Sequence, residues 1–455
     1  MKKIIILGFF LATTIISYSQ SLGYRDLGVL FSQNDENGSA RFTSMSGAFG
    51  ALGGDASSMS INPAGIAVLK NSVFTGTFNS RNTDITSNYY GSLLTTQNNF
   101  FNLSHAGGVL VFDNVYKSEW SKFAIGFNYR ITKDFTDSFI SQGNSGVATF
   151  RDFPLDSNIP TIDYNLSDEQ QFSNSYNGEI SEFNIAFSSV HQKKLYVGIG
   201  LNFFELIYGQ QTLLTEYNSD INGNRLDVDL YQENITAGNG FSANLGFIYK
   251  AHPNFRFGMA YQTPTWYSEI LQDTNFNQDS DIDIGETTFY QENQQYTEYN
   301  DWQYISYSLK TPSKLTASAA FIFGKKGLIS IDYINQGYQN IKLYNGAFNG
   351  ENQFFQNELR NTHSYNIGTE WRLNRLSVRG GYKFEQSPDK LALNSDNLKG
   401  YSLGAGYNFG GFKLDLSYSD NNKTSPYNFY PNFNLNPANL NIDNRTVTAS
   451  VTLNL

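Results

Sequence analysis

From about residue 70 to its last residue the chain alternates apolar and polar side chains with period two, and the connections between the alternating runs are by turns short and long. A period of two marks a strand whose two faces meet different surroundings. It is plain in Val197, Ile199, Leu201 and Phe203, which alternate with Gly198, Gly200 and Asn202. It recurs in Leu315/Ala317/Ala319/Phe321/Phe323, in Tyr401/Leu403/Ala405/Tyr407/Phe409 and in the closing Val447/Ala449/Val451/Leu453/Leu455. Short connections stand near 113–119, 191–194, 252–254, 324–327, 374–375 and 410–411. Long polar ones stand near 136–177, 219–237, 272–301, 344–360, 387–397 and 420–442. A soluble sandwich has no need of that alternation, whereas a membrane barrel with tight turns at one end and long loops at the other produces it. Counting the runs predicts fourteen strands, near 72–92, 100–113, 120–135, 178–191, 194–218, 238–251, 254–271, 303–323, 327–343, 361–373, 376–387, 398–409, 411–419 and 443–455. An even count puts both ends of the barrel on one side, as the turn pattern also requires. No blade-length repeat speaks for a propeller. Several runs finish in Tyr or Phe, as an aromatic girdle does, although the last residue is Leu455 where a terminal barrel strand more often ends in Phe.

The first residues are an address label. Lys2 and Lys3, the apolar run from Ile4 to Ile16 and the small residues around Ser17-Tyr18-Ser19 predict a secretory signal peptide over 1–20, cut before Gln20 or Ser21. The apolar run is shorter than the roughly 18 to 20 residues of a spanning helix, and nothing downstream matches it, so the mature chain is expected to carry no transmembrane helix. The absence of cysteine excludes a lipoprotein anchor, disulfide scaffolds, zinc ribbons, iron-sulfur sites and thiol nucleophiles. A net charge of -10 and a pI near 5.0 argue against nucleic acid as a partner. The mean hydropathy of -0.39 is no obstacle to a membrane location, because half the wall positions of a barrel face lipid and half face the lumen.

Residues 21–69, ahead of the barrel at 70–455, have another texture, rich in Ala, Gly, Ser and Met. Eight strands is about the number whose own side chains fill the interior, so fourteen enclose a lumen that needs a plug. The leading segment, rich in small residues, is the candidate. Within it run Gly53-Gly54-Asp55-Ala56 and then Asn62-Pro63-Ala64-Gly65. Pro63 fixes its own φ and pushes Asn62 out of the helical region, while the Asn62 side chain is suited to bond nearby backbone and hold a turn. Gly53, Gly54 and Gly65 allow conformations or close approach denied to other residues.

With that combination the chain resembles the FadL/TodX family of outer-membrane transporters for long-chain fatty acids and other hydrophobic compounds. The resemblance implies a fourteen-stranded antiparallel transmembrane β-barrel plugged by an N-terminal hatch, in the outer membrane of a Gram-negative cell. It places Gly53, Gly54, Asp55, Asn62, Pro63, Ala64 and Gly65 in the hatch, where they either only fold the plug or also take part in opening a path. The partners implied are outer-membrane lipid and a hydrophobic small molecule, a long-chain fatty acid or similar, moving by passive diffusion. The ligand would be captured among the outer loops, enter an apolar pocket and leave after hatch movement or through a lateral gap in the wall. Rings at Phe150, Phe153, Phe172, Phe276, Phe289, Tyr290, Phe354, Phe355, Tyr427, Phe429, Tyr430 and Phe433 are candidates for capture or simply loop core. The ligand-binding residues themselves are not legible.

No cofactor or metal is expected. His105, His191, His252 and His363 lack ligand spacing, and Ser104-His105 is a poor geometry for a nucleophile and its base. Asp279, Asp281, Asp283 and Glu286 alternate as calcium ligands do, but Ile284 and Tyr290 stand where a calcium loop needs Gly and Glu, so a solvated acidic loop is the better reading, as for Asp227 and Asp229. No phosphate-binding loop is present, and an enzyme is not expected. The rival from another class is a barrel of the same family that serves as a docking component of an outer-membrane protein secretion system.

Overall fold

The structure, a computed structural model, describes residues 21–114, 118–153, 162–274, 285–291, 294–299 and 302–455. The expected signal peptide and parts of the long connections lie outside the described residues. Fourteen antiparallel strands form one sheet that closes on itself: β1 Val73–Tyr89, β2 Ser92–Asp113, β3 Trp120–Asp134, β4 Leu166–His191, β5 Leu195–Ser219, β6 Arg225–His252, β7 Phe255–Gln262, β8 Lys314–Phe323, β9 Gly327–Gly337, β10 Asn361–Leu373, β11 Leu376–Glu385, β12 Leu398–Asn408, β13 Phe412–Tyr427 and β14 Ala438–Asn454. Each pairs with the next, and β14 returns to β1 from Val73↔Asn454 to Asn88↔Asn439. Closure lets a sheet cross a bilayer, because the strands satisfy one another's backbone groups.

The alternation acts inside out compared with a soluble protein. On β12 and β13, Tyr401, Leu403, Tyr407, Phe412, Leu414 and Leu416 point outward and are exposed, while Ser402, Asp415 and Ser417 are buried on the lumen side. Rings stack at the short-turn end, Phe323 on Trp371 at 5.8 Å and Phe409 on Phe412 at 4.6 Å. Such an apolar band with ring girdles fits hydrocarbon bounded by headgroups. At that end the turns are tight: Asn374 and Gly410 adopt φ of 56° and 103°.

The strand count and order match the sequence expectation, but several strands run farther outward. β4 begins at Leu166 rather than near 178, and β6 begins at Arg225, which leaves only a short turn after Ser219 where a loop over 219–237 was expected. The β1–β2 connection is likewise reduced to Tyr90-Gly91. Past the apolar band polar residues stand on both faces, as at Gln170, Gln171, Ser173, Asn174 and Ser175 around the single ring of Phe172, so period two loses its contrast although the ladder continues. The expected strands over 254–271 and 303–323 are each broken. Trp266–Thr274 and Gln303–Lys310 continue β7 and β8 beyond breaks that hold Pro264 and Pro312, since proline offers no N–H to a ladder.

The residues before β1 fill the lumen. α1 Tyr24–Leu30 lies high in the barrel and packs through Leu27 and Phe31 into a core with Tyr208, Tyr307 and Phe355. α2 Ala40–Thr43 and the residues after it lie lower, with Phe42, Met45, Phe49 and Ala51 fully buried.

Candidate functional site

The Gly/Ala-rich run folds into two short 3-10 helices, Ala56–Ser60 and Pro63–Val68. Gly53 and Gly54 adopt φ of 60° and 71°, and the Gly54 N–H donates to the Gly65 carbonyl at 2.9 Å. A Cβ at Gly53 would stand 2.6 Å from that carbonyl oxygen, so angle and space both require glycine. Asp55 caps the first helix, accepting from the Ser57 N–H at 3.0 Å, and accepts from Ser39 Oγ at 2.9 Å. Asn62 caps the second, accepting from the Ala64 N–H at 3.1 Å. Pro63 takes the first helical position, where its missing N–H costs nothing. The buried Asn62 Nδ2 also donates to the carbonyls of Gly50, at 2.7 Å, and of Phe247 in β6, at 3.0 Å. The tripeptide therefore shapes the hatch and pins it to the wall.

Where the hatch meets the wall, the strands carry glycine on the lumen side. A Cβ on Gly126 of β3 would stand 2.6 Å from Met59 Cε, and one on Gly368 of β10 would stand 2.7 Å from Met45 Cβ. At Gly198 of β5 and Gly246 of β6 it would run into Pro63-Ala64 and Asn62. Polar groups complete the seat. Arg41 of α2 donates Nε to Glu370 of β10 at 2.7 Å, and the same carboxylate binds Arg379 at 2.8 Å and Arg372 at 2.6 Å. Arg379 also reaches Asp415 at 2.6 Å. His105 of β2 is sealed between Ser57 Oγ and Thr77 Oγ1, each at 3.2 Å from a ring nitrogen, which makes it a hatch contact rather than a base.

Above this seat, an open cavity of about 850 Å³ lies between residues 33–47 of the hatch and the outer loops, along the wall from β11 through β14 to β3. Its lining includes the apolar side chains of Ile85, Phe139, Leu398, Tyr427, Leu440 and Ile442, and Leu391 and Leu393 are exposed beside it. Charged side chains of both signs share the lining: Arg81, Lys133, Lys383 and Lys423 stand among Asp35 and Glu36 of the hatch and Asp134, Asp137, Glu385 and Asp396 of the wall and loops. Sequence reasoning foresaw an apolar pocket, and the cavity is amphipathic instead. None of Gly53, Gly54, Asp55, Asn62, Pro63, Ala64 or Gly65 lines it.

One part of the wall beside the cavity is incompletely laddered. β2 pairs with β1 out to Ser92, but with β3 only from Asp113↔Lys122 to His105↔Arg130. β3 bulges between Ile131 and Lys133, turns inward at the buried Phe135 and resumes beside β4 as Asp137–Gly143. Side chains span the resulting seam. Asn98 bonds the Ser138 backbone at 2.9 and 3.1 Å, and Arg81 donates to the Thr136 carbonyl at 2.6 Å. The hatch holds its lower end: the Asp35 N–H donates to the Thr132 carbonyl at 2.5 Å and Asn37 Nδ2 to the Ile131 carbonyl at 2.9 Å. On the outer face Phe101, 73% exposed, lies against lipid at this level.

The candidate capture rings separate clearly. Phe150, Phe172, Phe429 and Tyr430 are loop core, as is Phe355 beside α1. Phe289 and Phe433 pack against the core around Phe172, and Tyr290 is exposed. Phe354 and Tyr427 line the cavity. Phe276, Asp279, Asp281, Asp283 and the Phe153 side chain lie outside the described residues. His191 closes β4 rather than lying in the turn after it, and bonds Glu119 at 2.9 Å. Sequence reasoning missed the lysines and Asp35; the only trace was a charge at a lumen-facing position of an alternating strand, as in Lys383 between Tyr382 and Phe384.

Comparison with known proteins places this geometry. The family model described as outer membrane protein transport protein (OMPP1/FadL/TodX) matches residues 31–425. Among solved structures, a Pseudomonas aeruginosa FadL homologue is similar at 14% identity and a TM-score of 0.54, covering 93% of this chain and 99% of that one. The P. putida toluene transporter TodX is similar at 13% identity and 0.54, covering 92% and 99%. The CymD monoaromatic hydrocarbon channel is similar at 14% and 0.51, covering 92% and 97%. At such identities the likeness is one of fold. No curated protein sequence matches the chain.

Proposed function

The chain belongs to the outer-membrane transport protein family OMPP1/FadL/TodX, and on that footing we propose that it is a passive channel for uptake of hydrophobic small molecules, long-chain fatty acids or similar. The barrel resides in the outer membrane, and the family is one of transport proteins rather than enzymes. The observation that carries the reading is the amphipathic cavity between hatch and loops. Its apolar side chains accept a hydrocarbon chain, its charged ones suit a polar head, and the exposed Leu391 and Leu393 offer a first landing. The TodX and CymD relatives are named for toluene and monoaromatic hydrocarbons; the charged side chains in this lining favour a ligand with a polar head here. Residues 1–20 would serve for export and 21–69 as the hatch. The seam between β2 and β3 supports a sideways exit into the bilayer, which spares an apolar ligand an aqueous channel.

The test is purification in a mild detergent with mass spectrometry of what remains bound. The expected result is a hydrophobic small molecule in roughly stoichiometric amount. A stoichiometric protein partner with no such molecule would replace uptake by the docking reading.

A further inference from the structure

The short-turn end of the barrel carries a charge opposite in sign to the chain as a whole. The net charge is -10, yet the turns expose Lys193 and Lys194 between β4 and β5, Lys325 and Lys326 between β8 and β9, and Arg375 between β10 and β11. Among the described residues none of these five is in an ion pair. The exposed side-chain carboxylates described at this end are Asp113 and Glu119, and Glu119 is engaged by His191 at 2.9 Å and Gln192 at 3.1 Å. Glu370 and Asp415 are buried. The turns are tied to their neighbours through backbone. The Lys250 N–H donates to the Lys194 carbonyl and the Arg372 N–H to the Lys326 carbonyl, each at 2.8 Å, and the Asn408 N–H to the Arg375 carbonyl at 3.0 Å. The cations therefore stand on a fixed arc. On its membrane side lie rings, Phe255 against Phe321 at 5.0 Å, Phe323 on Trp371 at 5.8 Å and Tyr407 against Phe409 at 4.7 Å. Such rings lie at the level of the head groups, so cations one side chain beyond them stand at the depth of lipid phosphates. The opposite end is unlike it: Glu205 faces outward between the exposed Phe203 and Ile207, and Arg445 is taken by Asp84 and Asp443.

We propose that the short-turn rim is a binding surface for anionic phospholipid, in which Lys193, Lys194, Lys325, Lys326 and Arg375 hold the phosphate-bearing head groups of the leaflet on the turn side. In a barrel with tight periplasmic turns that leaflet is the periplasmic one. A cation without a protein partner gains an ion pair from a head group of net negative charge. It gains far less from a zwitterionic one, whose own amine offsets the phosphate. The turns over 192–194, 324–326 and 374–375 are too short to project from the wall, so they present a rim level with the head groups and not a knob for a soluble protein. The surface does not depend on what the channel carries.

The experiment offers the full chain, in a neutral maltoside detergent, equal amounts of phosphatidylglycerol and phosphatidylethanolamine with the same acyl chains, and counts the lipids retained by native mass spectrometry. Wild type is expected to retain phosphatidylglycerol about fivefold or more over phosphatidylethanolamine, as clustered cations beside a membrane do. Changing Lys193, Lys194, Lys325 and Lys326 together to Gln is expected to bring the ratio within about a factor of two, and changing the same four to Arg to keep it. All these positions are exposed turn residues, and heat-shifted mobility on gels checks that each variant is a folded barrel. Lys399→Gln with Arg445→Gln, at the far end, is expected to leave the ratio as in wild type, and added inorganic phosphate is expected not to lower it. Equal retention of the two lipids by wild type overturns the proposal. A preference that survives the four Gln changes, or that the far-end pair abolishes, places the anionic lipid elsewhere and overturns it as well. Loss of the preference to inorganic phosphate assigns the rim to a free anion instead.

Discussion

The hatch is held in two very different ways along its length. Residues 38–68 are built into the wall: Glu370 gathers three guanidiniums, Asn62 bonds both hatch and β6, and lumen-side glycines let backbone meet backbone. α1 is anchored as well, by ring contacts such as Tyr24 against Phe348 at 4.8 Å and Phe31 against Tyr208 at 5.4 Å. Between these anchors, residues 33–37 face the cavity and hold the wall by a handful of contacts: Asp35 to Lys133 and Thr132 of β3, Glu36 to Asn366 of β10, and Asn37 to Ile131 of β3 and Asn79 of β1. A plug that had to leave the barrel would not be fastened so well at both ends. The difference describes a hatch that yields in its middle and beside the seam.

Locking tests that difference most severely. The chain contains no cysteine, so introduced thiols stand alone. Asn37→Cys with Asn79→Cys joins the weakly held stretch to β1 where the side-chain ends meet at 3.2 Å. Thr43→Cys with Ser417→Cys joins the anchored body to β13 where the hydroxyls lie 2.6 Å apart. Linking the first pair with a short thiol-to-thiol reagent is expected to abolish uptake of a hydrophobic tracer, and reduction to restore it. Linking the second is expected to leave uptake within about a factor of two. Equal inhibition by both links would mean that the whole hatch moves.

A smaller effect is expected from weakening the anchored body itself. Glu370→Gln leaves Arg41, Arg372 and Arg379 around a neutral amide in a buried site, and breaking a buried pair from one side typically costs about 3–5 kcal/mol. Arg372 is partly exposed and recovers water, so the lower end of that range is the expectation. The variant should still run as a folded barrel on unheated gels, with hatch amides between 38 and 68 exchanging faster and a raised ion leak in planar bilayers. Unchanged exchange would show that the glycine seat alone suffices.

The sequence carried the wall and the bend of the hatch but not its fastenings. Fourteen strands and their order followed from a local pattern, alternation, that every membrane-crossing strand must repeat. Boundaries slipped where β4 and β6 rise past the apolar band, because there polar residues stand on both faces and the pattern loses contrast. Gly53, Gly54, Asn62 and Pro63 were legible as a turn since their constraints are backbone ones. The Arg41–Glu370 pair spans 329 positions, and the Lys133–Asp35 pair joins a strand end to a hatch stretch without regular structure. Neither leaves a local period. Glycines such as Gly198 stood on the polar face of their strands, and only the hatch on the other side explains why nothing larger would fit.

The finest test of the contrast is pH, read through Asp35 in the weakly held stretch. The Asp35 carboxyl is held below its usual range in the folded barrel. A carboxyl depressed on folding contributes stability that is complete above its unfolded value, roughly 4, and is lost as pH falls through the folded value. The Asp35 contacts with Lys133 should therefore be intact from pH 8 down to about pH 5. Ion leak through the barrel in planar bilayers is expected to stay flat over that span and to rise only in stronger acid. In Asp35→Asn the leak should be raised slightly at every pH and should lose that acid step, while Glu370→Gln should keep the step on a higher baseline. A rise between pH 7 and pH 5 in the wild type would assign the closure of the seam to a group other than Asp35, and with it would fall the view that residues 33–37 are the part that yields.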